Sequence, residues 1–208
     1  MKNIAIFVFN DVEVLDFAGP FEVFSVTGRR NGSDPFNVYL VAENSGAVLA
    51  RNQFSINPHY SFENCPDPDI LLIPGGGGYT ADGRPFGTRR EMDNLVVREW
   101  VQRQAAQVEL LLSVCTGALI LAKAGLLEGR RATTHHGAID SLRQLAPNTE
   151  VTSDRIVDNG DLILSGGISA GIDMSLYVVA KRLGRDVAIE TASYMEYDWR
   201  ELSSSAVL

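Results

Sequence analysis

The sequence predicts an α/β fold in which a mainly parallel sheet is sandwiched by helices. Runs such as DILLIP and ELLLSV are continuously apolar rather than alternating, which is typical of strands buried on both faces. These runs alternate with segments of helical periodicity, as expected when helices connect parallel strands. The chain has 208 residues, of which 45% are hydrophobic, and this length favours one domain, which we place at residues 1–200.

The first half of the chain begins with a strand, NIAIFVF. A helix follows in DFAGPFEVFSVTG, with Pro20 in its first turn, where a missing amide proton is tolerated. FNVYLVAE is a second strand, and VLARNQFSINPHYSF is read as short extended pieces or a hairpin. DILLIP is a strand that runs into four glycines, and NLVVREWVQRQAAQ then has the apolar spacing of a helix.

The second half continues this alternation. ELLLSV is a buried strand, TGALILAKAGLL is a helix that stops near Gly125, and RATTHH is a short strand. GAIDSLRQLAP is a helix that Pro147 closes. EVTSD and RIVDNGDLILSG indicate a hairpin about Asn159 and Gly160, and AGIDMSLYVVAKRLG is a long helix that ends at Gly184.

Composition and charge argue against several classes of function. The net charge is −8, and no basic cluster exceeds two residues, so we expect no nucleic-acid partner. The apolar run near the N-terminus is too short for a signal peptide or a membrane span, which favours a cytoplasmic protein with no membrane partner. In that compartment we expect no disulfide between Cys65 and Cys115. Residues 201–208 are expected to form a frayed tail.

The carboxyl ends of the predicted strands locate the candidate functional residues. In parallel sheets the working groups lie beyond those ends. The strands NIAIFVF, DILLIP, ELLLSV and RATTHH therefore direct attention to positions 11–16, 75–78, 115–117 and 134–137.

Cys115 stands at a sharp turn between a predicted strand and a predicted helix. This order is that of a nucleophile elbow, which projects the side chain out of the sheet. Gly117 permits close backbone approach, and a helix N-terminus lowers the pKa of a nearby thiol. We expect Cys115 to be a reactive nucleophile. The alternative is a small buried hydrophobe at a strand end.

Four glycines, Gly75, Gly76, Gly77 and Gly78, follow the strand DILLIP. Their backbone amides are suited to bind an anionic atom beside the sulfur, because no side chain stands in the way. The alternative is a flexible loop. The pattern matches neither the G-x-G-x-x-G spacing of a dinucleotide site nor a P-loop, which needs a Lys followed by Ser or Thr.

Asp16 is the candidate proton carrier, because it follows the first strand and lies near the start of the first helix. A carboxyl group beside a thiolate has its pKa raised by burial and by the like charge, so it can carry a proton. The alternative is an N-cap for a helix that begins near Gly19 and Pro20. Glu13 and Glu22 are the competing carboxylates.

The three histidines form no metal-ligand spacing with the two cysteines, so no metal site is expected. His135 and His136 end the strand RATTHH, and each can either face a pocket or serve the structure. His59 has no partner pattern. Cys65 is interpreted as structural.

Four segments in order, LDFAGPFEVF, DILLIPGGGG, SVCTGALILAKAGLLEGRRATTHH and SGGISAGIDMSLYVVAKRLG, resemble the ThiJ/PfpI superfamily. The resemblance extends from Ile4 to about Tyr197 and implies a flavodoxin-like fold similar to that of class I glutamine amidotransferases. Carried over by motif, the reactive cysteine of the family falls on Cys115 and its acidic partner on Asp16. Its backbone oxyanion donors fall on the four-glycine turn and on the amide of Thr116.

Two departures from the commoner family pattern indicate one branch. Many members have His after the cysteine and Glu at the acidic position, whereas this chain has Thr116 and Asp16. Both features match the isocyanide hydratases and weaken the peptidase-like and glyoxalase-like alternatives. The glutaminase relatives need a His far downstream of the cysteine, and none follows His136.

The resemblance therefore implies a cysteine-dependent hydratase of small electrophilic substrates, with no cofactor and no metal. The same branch contains the N-terminal domains of AraC-type regulators, so a non-catalytic ligand-sensing module is the alternative, and redox sensing through oxidation of Cys115 is a third. The resemblance also implies a homodimer. Motif neighbourhood adds Phe17, Tyr79 and Ile172 to His135 as pocket candidates.

Overall fold

The structure, a computed structural model, describes residues 1–199. The strands are β1 (Lys2–Phe7), β2 (Phe36–Ala42), β3 (Val48–Ala50), β4 (Phe54–Ile56), β5 (Tyr60–Ser61), β6 (Ile70–Ile73), β7 (Gly77–Tyr79), β8 (Pro85–Gly87), β9 (Leu110–Val114), β10 (Arg131–Ala132), β11 (Glu150–Val151), β12 (Ile156–Asp158) and β13 (Leu162–Ser165). The α-helices are α1 (Val14–Val26), α2 (Thr88–Glu91), α3 (Leu95–Ala105), α4 (Gly117–Lys123), α5 (Ile139–Leu145), α6 (Ala170–Leu183) and α7 (Arg185–Tyr194). The predicted tail at residues 201–208 lies outside the described residues.

Seven of these strands form one sheet in the order β12-β13-β9-β6-β1-β2-β5. All neighbours are parallel except the β12–β13 hairpin, which confirms the predicted mainly parallel sheet. The chain passes from β1 to β2 on one side and later returns to place β6 on the other side of β1. Such a reversal opens a crevice at the carboxyl ends of the strands. The segments that leave β1 and β6 carry Asp16 and the four glycines to that crevice.

The core explains why the central strands are continuously apolar. Every residue of β6 and β9 is buried, because helices flank the sheet. One helical group consists of α1, α6 and α7, which pack on one another, and another consists of α3, α4 and α5. Phe7, Phe24 and Trp100 are among the largest fully buried side chains. Within residues 1–199, no helix has the length and apolarity needed to cross a membrane.

Helix α1 begins earlier than the sequence predicts. It starts at Val14, so Pro20 lies inside the helix rather than in its first turn. A proline there leaves the carbonyl of Asp16 without its helical donor and typically costs about 3 kcal/mol. Its ring packs close to Gly171 of α6, a contact that offsets part of this cost. The N-cap alternative for Asp16 is wrong, because Glu13 occupies the N-cap position.

The segment RATTHH is the second correction. Only its first two residues form a strand, and this strand, β10, pairs with β11 outside the main sheet. Thr133 donates a hydrogen bond to the carbonyl of Asp154, and Thr134 donates one to the carbonyl of Cys115. These contacts hold the segment against the cysteine turn, so the segment does not add a strand to the main sheet. The β7–β8 hairpin and the helices α2 and α7 were not predicted.

Candidate active site

Cys115 lies on the sharp turn between β9 and α4, in the predicted strand, turn and helix arrangement. Its φ angle is +56°, a conformation that non-glycine residues rarely adopt and that commonly marks a functional turn. A Cβ atom on Gly117 would lie 2.1 Å from the carbonyl oxygen of Ile73, so the turn requires glycine at that position. Thr134 Oγ1 donates a hydrogen bond to the Cys115 carbonyl at 2.8 Å, and this bond helps to fix the backbone of the turn.

The Asp16 carboxyl group is fully buried beside the Cys115 thiol. Its Oδ2 atom accepts a hydrogen bond from the Gly75 amide at 3.1 Å. Its Oδ1 atom has no nitrogen or oxygen partner within residues 1–199. The Cys115 thiol lies close enough to this carboxyl group for each of the two groups to shift the pKa of the other. The structure thus brings together the two residues that the sequence singled out as nucleophile and proton carrier.

Burial dominates the electrostatics of this pair. It raises the pKa of the Asp16 carboxyl group to about 7, against the hydrogen bonds from Cys115 and Gly75, which lower it. Burial and then the charge of Asp16 raise the pKa of the Cys115 thiol to about 12, whereas the amides of Thr116 and Ile168 lower it. The expectation of a lowered thiol pKa is wrong, because one turn of amides does not compensate for desolvation and a neighbouring carboxylate.

The pair therefore cannot carry two negative charges near neutral pH. A thiolate forms there when Asp16 takes the thiol proton, since the two groups share one proton between them. This arrangement makes Asp16 a base toward the thiol and, once protonated, an acid toward whatever the sulfur has attacked.

Gly75 and Gly76, the first two residues of the four-glycine turn, hold two side chains of the site in place through their backbone amides. The amide of Gly75 donates to Asp16, and the amide of Gly76 donates to Thr116 Oγ1 at 3.0 Å. A Cβ atom on Gly75 would lie 2.5 Å from the Thr116 amide nitrogen, which explains why this position is glycine. Gly77 and Gly78 belong to strand β7. The amides that face the sulfur are those of Thr116 and Ile168.

Thr116 is held by two contacts. Its hydroxyl group accepts the Gly76 hydrogen bond and lies 3.1 Å from Thr88 Oγ1, and the residue is buried. These contacts join the cysteine turn to the glycine turn and to α2. The hydroxyl group of Thr116 therefore positions the turn that carries Cys115.

The competing carboxylates lie apart from the thiol–carboxyl pair. Glu13 Oε2 forms an ion pair with Arg51 at 2.8 Å, and its charge contributes to the raised pKa of Asp16. Glu22 lies exposed on α1. His59 accepts a hydrogen bond from the amide of Leu40, in a structural role.

A cavity of about 330 Å³ adjoins the cysteine turn. Its lining includes Thr134, His135, His136, Arg155, Gly167 and Ile168. Of the pocket candidates, His135 lines this cavity, while Phe17, Tyr79 and Ile172 do not. Phe17 is buried in the core, Tyr79 is exposed on β7, and Ile172 packs against α1 at Gly19.

Two contributors were missed by sequence reasoning, Thr88 and Ile168, whereas Thr134 lies within the predicted range 134–137. Ile168 has a φ angle of +51° and reaches the sulfur through its backbone amide, which any residue type could supply. The feature of the sequence that could have indicated Ile168 is its place in the glycine-containing segment SGGISAG, at the start of α6. Within the described part of the chain, no group of three or more His, Cys, Asp or Glu side chains could hold a metal ion.

Comparison with known proteins identifies relatives of the whole arrangement. A model of the DJ-1/PfpI family matches residues 2–181. The isonitrile hydratase of Pseudomonas putida is 34% identical over 195 residues, which cover 94% of this chain and 78% of that protein. The HTH-type transcriptional regulator CdhR of Pseudomonas aeruginosa is 30% identical over 179 residues, or 86% of this chain and 50% of the regulator. The chain thus spans about half the length of that regulator.

Solved structures show the same fold. A ThiJ/PfpI family protein from Pseudomonas syringae superposes with a TM-score of 0.83 at 28% identity, covering 98% of this chain and 78% of the other. Drosophila melanogaster DJ-1beta superposes with a TM-score of 0.77 at 21% identity, covering 95% of this chain and 99% of that one.

Proposed function

The chain belongs to the DJ-1/PfpI family, and on that premise we propose that it is a cysteine-dependent hydratase that converts isocyanides and water into N-substituted formamides. The observation that carries the proposal is the buried pair of Cys115 and Asp16 on a positive-φ turn. The 34% identity to an isonitrile hydratase over most of the chain supports the same chemistry.

In the first step Asp16 takes the proton of the Cys115 thiol as the sulfur adds to the terminal carbon of the isocyanide. Asp16 then gives this proton to the same carbon, so a neutral thioimidate forms with a new C–S bond and a new C–H bond. The raised pKa of Asp16, about 7, suits both transfers, since a catalytic group works best with a pKa near the operating pH.

In the second step Asp16, again a carboxylate, takes a proton from water as the oxygen adds to the thioimidate carbon. It passes this proton to the substrate nitrogen. The C–S bond then breaks, the hydroxyl proton returns to the sulfur, and the formamide leaves. The amides of Thr116 and Ile168 stabilise the negative charge that the sulfur carries in each transition state.

The test is formamide production from an aryl isocyanide, followed by absorbance. Cys115→Ala should abolish turnover, and Asp16→Asn should lower kcat by about hundredfold or more, the usual contribution of acid–base catalysis. Cys65→Ala and Asp34→Asn are the matched controls, because Cys65 contacts the Pro66 carbonyl and Asp34 is exposed. Turnover that survives in Cys115→Ala would contradict the proposal.

A ligand-sensing module is the second candidate, favoured by the similarity to a transcriptional regulator over 86% of this chain. A parent protein that hydrates no isocyanide but is stabilised against thermal unfolding by a small electrophile would support this alternative. In that case the sulfur and its donors would serve binding rather than turnover.

A further inference from the structure

We propose that the cavity beside the cysteine turn receives the substituent of the isocyanide and selects substituents with an uncharged carbonyl group, to which His135 donates a hydrogen bond. This inference rests on the proposed hydratase function and names the substrate class of the same site. Its basis is the position of the cavity, the fixed orientation of one imidazole and the pairing of the charges in the cavity wall.

The cavity is lined by residues that contact the cysteine turn. Ile168 lines it, and the amide of the same residue faces the Cys115 sulfur. Thr134 lines it as well, and its hydroxyl group holds the Cys115 carbonyl at 2.8 Å. The amide of Cys115 donates to the carbonyl of Gly166, a third lining residue, at 3.1 Å. A substrate carbon bonded to the sulfur therefore has its substituent within reach of this space.

The volume fits a substituent larger than a methyl group. A water molecule occupies about 30 Å³ in the liquid. A cavity of about 330 Å³ therefore has room for a chain of five or six non-hydrogen atoms together with several water molecules. Ile139 and Ile168 supply apolar wall, and His135 supplies a polar group.

The orientation of the His135 ring is fixed by the backbone on two sides. Its Nδ1 atom accepts a hydrogen bond from the Gly137 amide at 3.1 Å. A Cβ atom on Gly167 would lie 2.3 Å from its Cδ2 atom, so the bare Gly167 backbone packs against the ring. The ring of His136 lies beside it, tilted by 32°, with 4.2 Å between the ring centroids.

This geometry leaves one donor on the ring. Burial, then the neighbouring His136 and Arg89, lowers the pKa of His135, so the imidazole is neutral at neutral pH. Because Nδ1 is an acceptor, the proton of the neutral ring is on Nε2. Nε2 has no hydrogen-bond partner among residues 1–199, so it is free to donate to a carbonyl oxygen of the substituent.

The charges of the cavity wall are already compensated. Arg155 Nε donates to Asp173 at 2.6 Å, and Asp154 pairs with Arg131 at 3.1 Å. With a neutral His135 these pairs leave little net charge to balance an ionised substituent. Arg89, whose charge also lowers the pKa of His135, is not among the residues that line the cavity. A carboxylate inside the cavity would therefore lose hydration without contacting an unpaired cation, so the fit is to an ester or an amide.

The experiment compares two isocyanides of the same shape. Methyl isocyanoacetate has a carbonyl oxygen where 2-methylbutyl isocyanide has a methyl group. The parent should hydrate the ester with a kcat/KM about tenfold higher, which is the upper part of the usual range for one hydrogen bond. The isocyanoacetate anion should be hydrated less efficiently than the ester.

The variants are chosen to separate the hydrogen bond that His135 donates to the substrate from the structural hydrogen bond that it accepts from Gly137. His135→Asn keeps an oxygen that can accept from the Gly137 amide but has no donor at the place of Nε2, so it should abolish the ester preference. His135→Gln places an amide donor near that position and should retain part of it. His59→Asn is the matched control, because His59 Nδ1 also accepts a backbone amide, that of Leu40 at 3.0 Å, and it should keep the full preference.

The outcomes distinguish this inference from the proposed function. A parent without ester preference, equal losses on both substrates in His135→Asn, or preference for the anion would overturn the inference while leaving the hydratase intact. Hydration of neither isocyanide would overturn the hydratase. In that event, binding of N-formylglycine methyl ester and N-(2-methylbutyl)formamide to Cys115→Ala, with and without His135→Asn, decides whether the cavity prefers the carbonyl group.

Discussion

Replacing Asp16 with Asn should make the protein more stable near neutral pH and should remove a pH dependence that the parent has. In the folded protein, burial raises the pKa of this carboxyl group from 3.8 to about 7. The Asn side chain has the same shape, can still accept the Gly75 hydrogen bond, and never becomes charged. The substitution therefore isolates the free energy of burying the carboxylate.

The direction of the pH dependence follows from the number of protons that the carboxyl group binds in the folded and in the unfolded state. Below about pH 4 the carboxyl group is protonated in both states, so it contributes no pH dependence. Between about pH 4 and pH 7 only the unfolded state releases the proton, so the free energy of unfolding falls as the pH rises. Above about pH 7 both states are ionised and the contribution is constant. A rise from 3.8 to about 7 corresponds to about 4 kcal/mol.

The assay is urea unfolding of the parent and of Asp16→Asn at intervals from pH 4.5 to pH 8. The free energy of unfolding of the variant should rise relative to that of the parent by about 3 kcal/mol across this range, because the unfolded carboxyl group is already largely ionised at pH 4.5. Asp34→Asn changes an exposed residue, so its free energy of unfolding should depend on pH in the same way as that of the parent. Parallel curves for the parent and Asp16→Asn would refute the account of a buried carboxyl group with a raised pKa.

Alkylation of Cys115 by iodoacetamide, measured by peptide mass spectrometry, should accelerate as the pH rises through 7 to 9, since burial and the Asp16 charge keep the thiol protonated. Asp16→Asn should move this profile to lower pH. Gly75→Ala should lower kcat by about hundredfold, because its Cβ atom would lie 2.5 Å from the Thr116 amide nitrogen and displace the turn. Thr116→Val should cost about 1–3 kcal/mol in urea unfolding, because the Gly76 amide loses its acceptor. Thr116→Ser should stay close to the parent.

Each of these outcomes has its own control. Gly46 has a φ angle of +113° with no atom within 4 Å of the added Cβ, so Gly46→Ala should cost stability through backbone strain while kcat is kept. An unchanged alkylation profile in Asp16→Asn would contradict the coupling of the two groups. A Thr116→Val protein as stable as the parent would contradict the role of that hydroxyl group.

The sequence predicted the sheet well because its strands are buried on both faces. The segments DILLIP and ELLLSV correspond to β6 and β9, and the periodic AGIDMSLYVVAKRLG corresponds to α6, which ends beside Gly184 as expected. Local chemistry suffices for such elements. The helix start before Pro20 and the departure of RATTHH from the sheet depend on contacts with α6 and with the cysteine turn, which lie far away in the chain.

Sequence reasoning also placed Cys115 and Asp16 at one crevice, since both follow strands of the same parallel sheet. It could not assign the Gly75 and Gly76 amides to Asp16 and Thr116, because those contacts depend on how closely two turns approach. The amide of Ile168 was missed for a related reason: it comes from a loop some fifty residues later, in a backbone conformation that its side chain does not favour. The sign of the thiol pKa shift likewise depends on burial.

The most direct test of the central claim is the mass of the protein during turnover. Rapid mixing of the parent with an aryl isocyanide, acid quenching and peptide mass spectrometry should show a mass increase of one isocyanide on the peptide that contains Cys115, formed and lost at rates that account for formamide release. Formamide production at the same rate with no adduct at Cys115 would contradict the account.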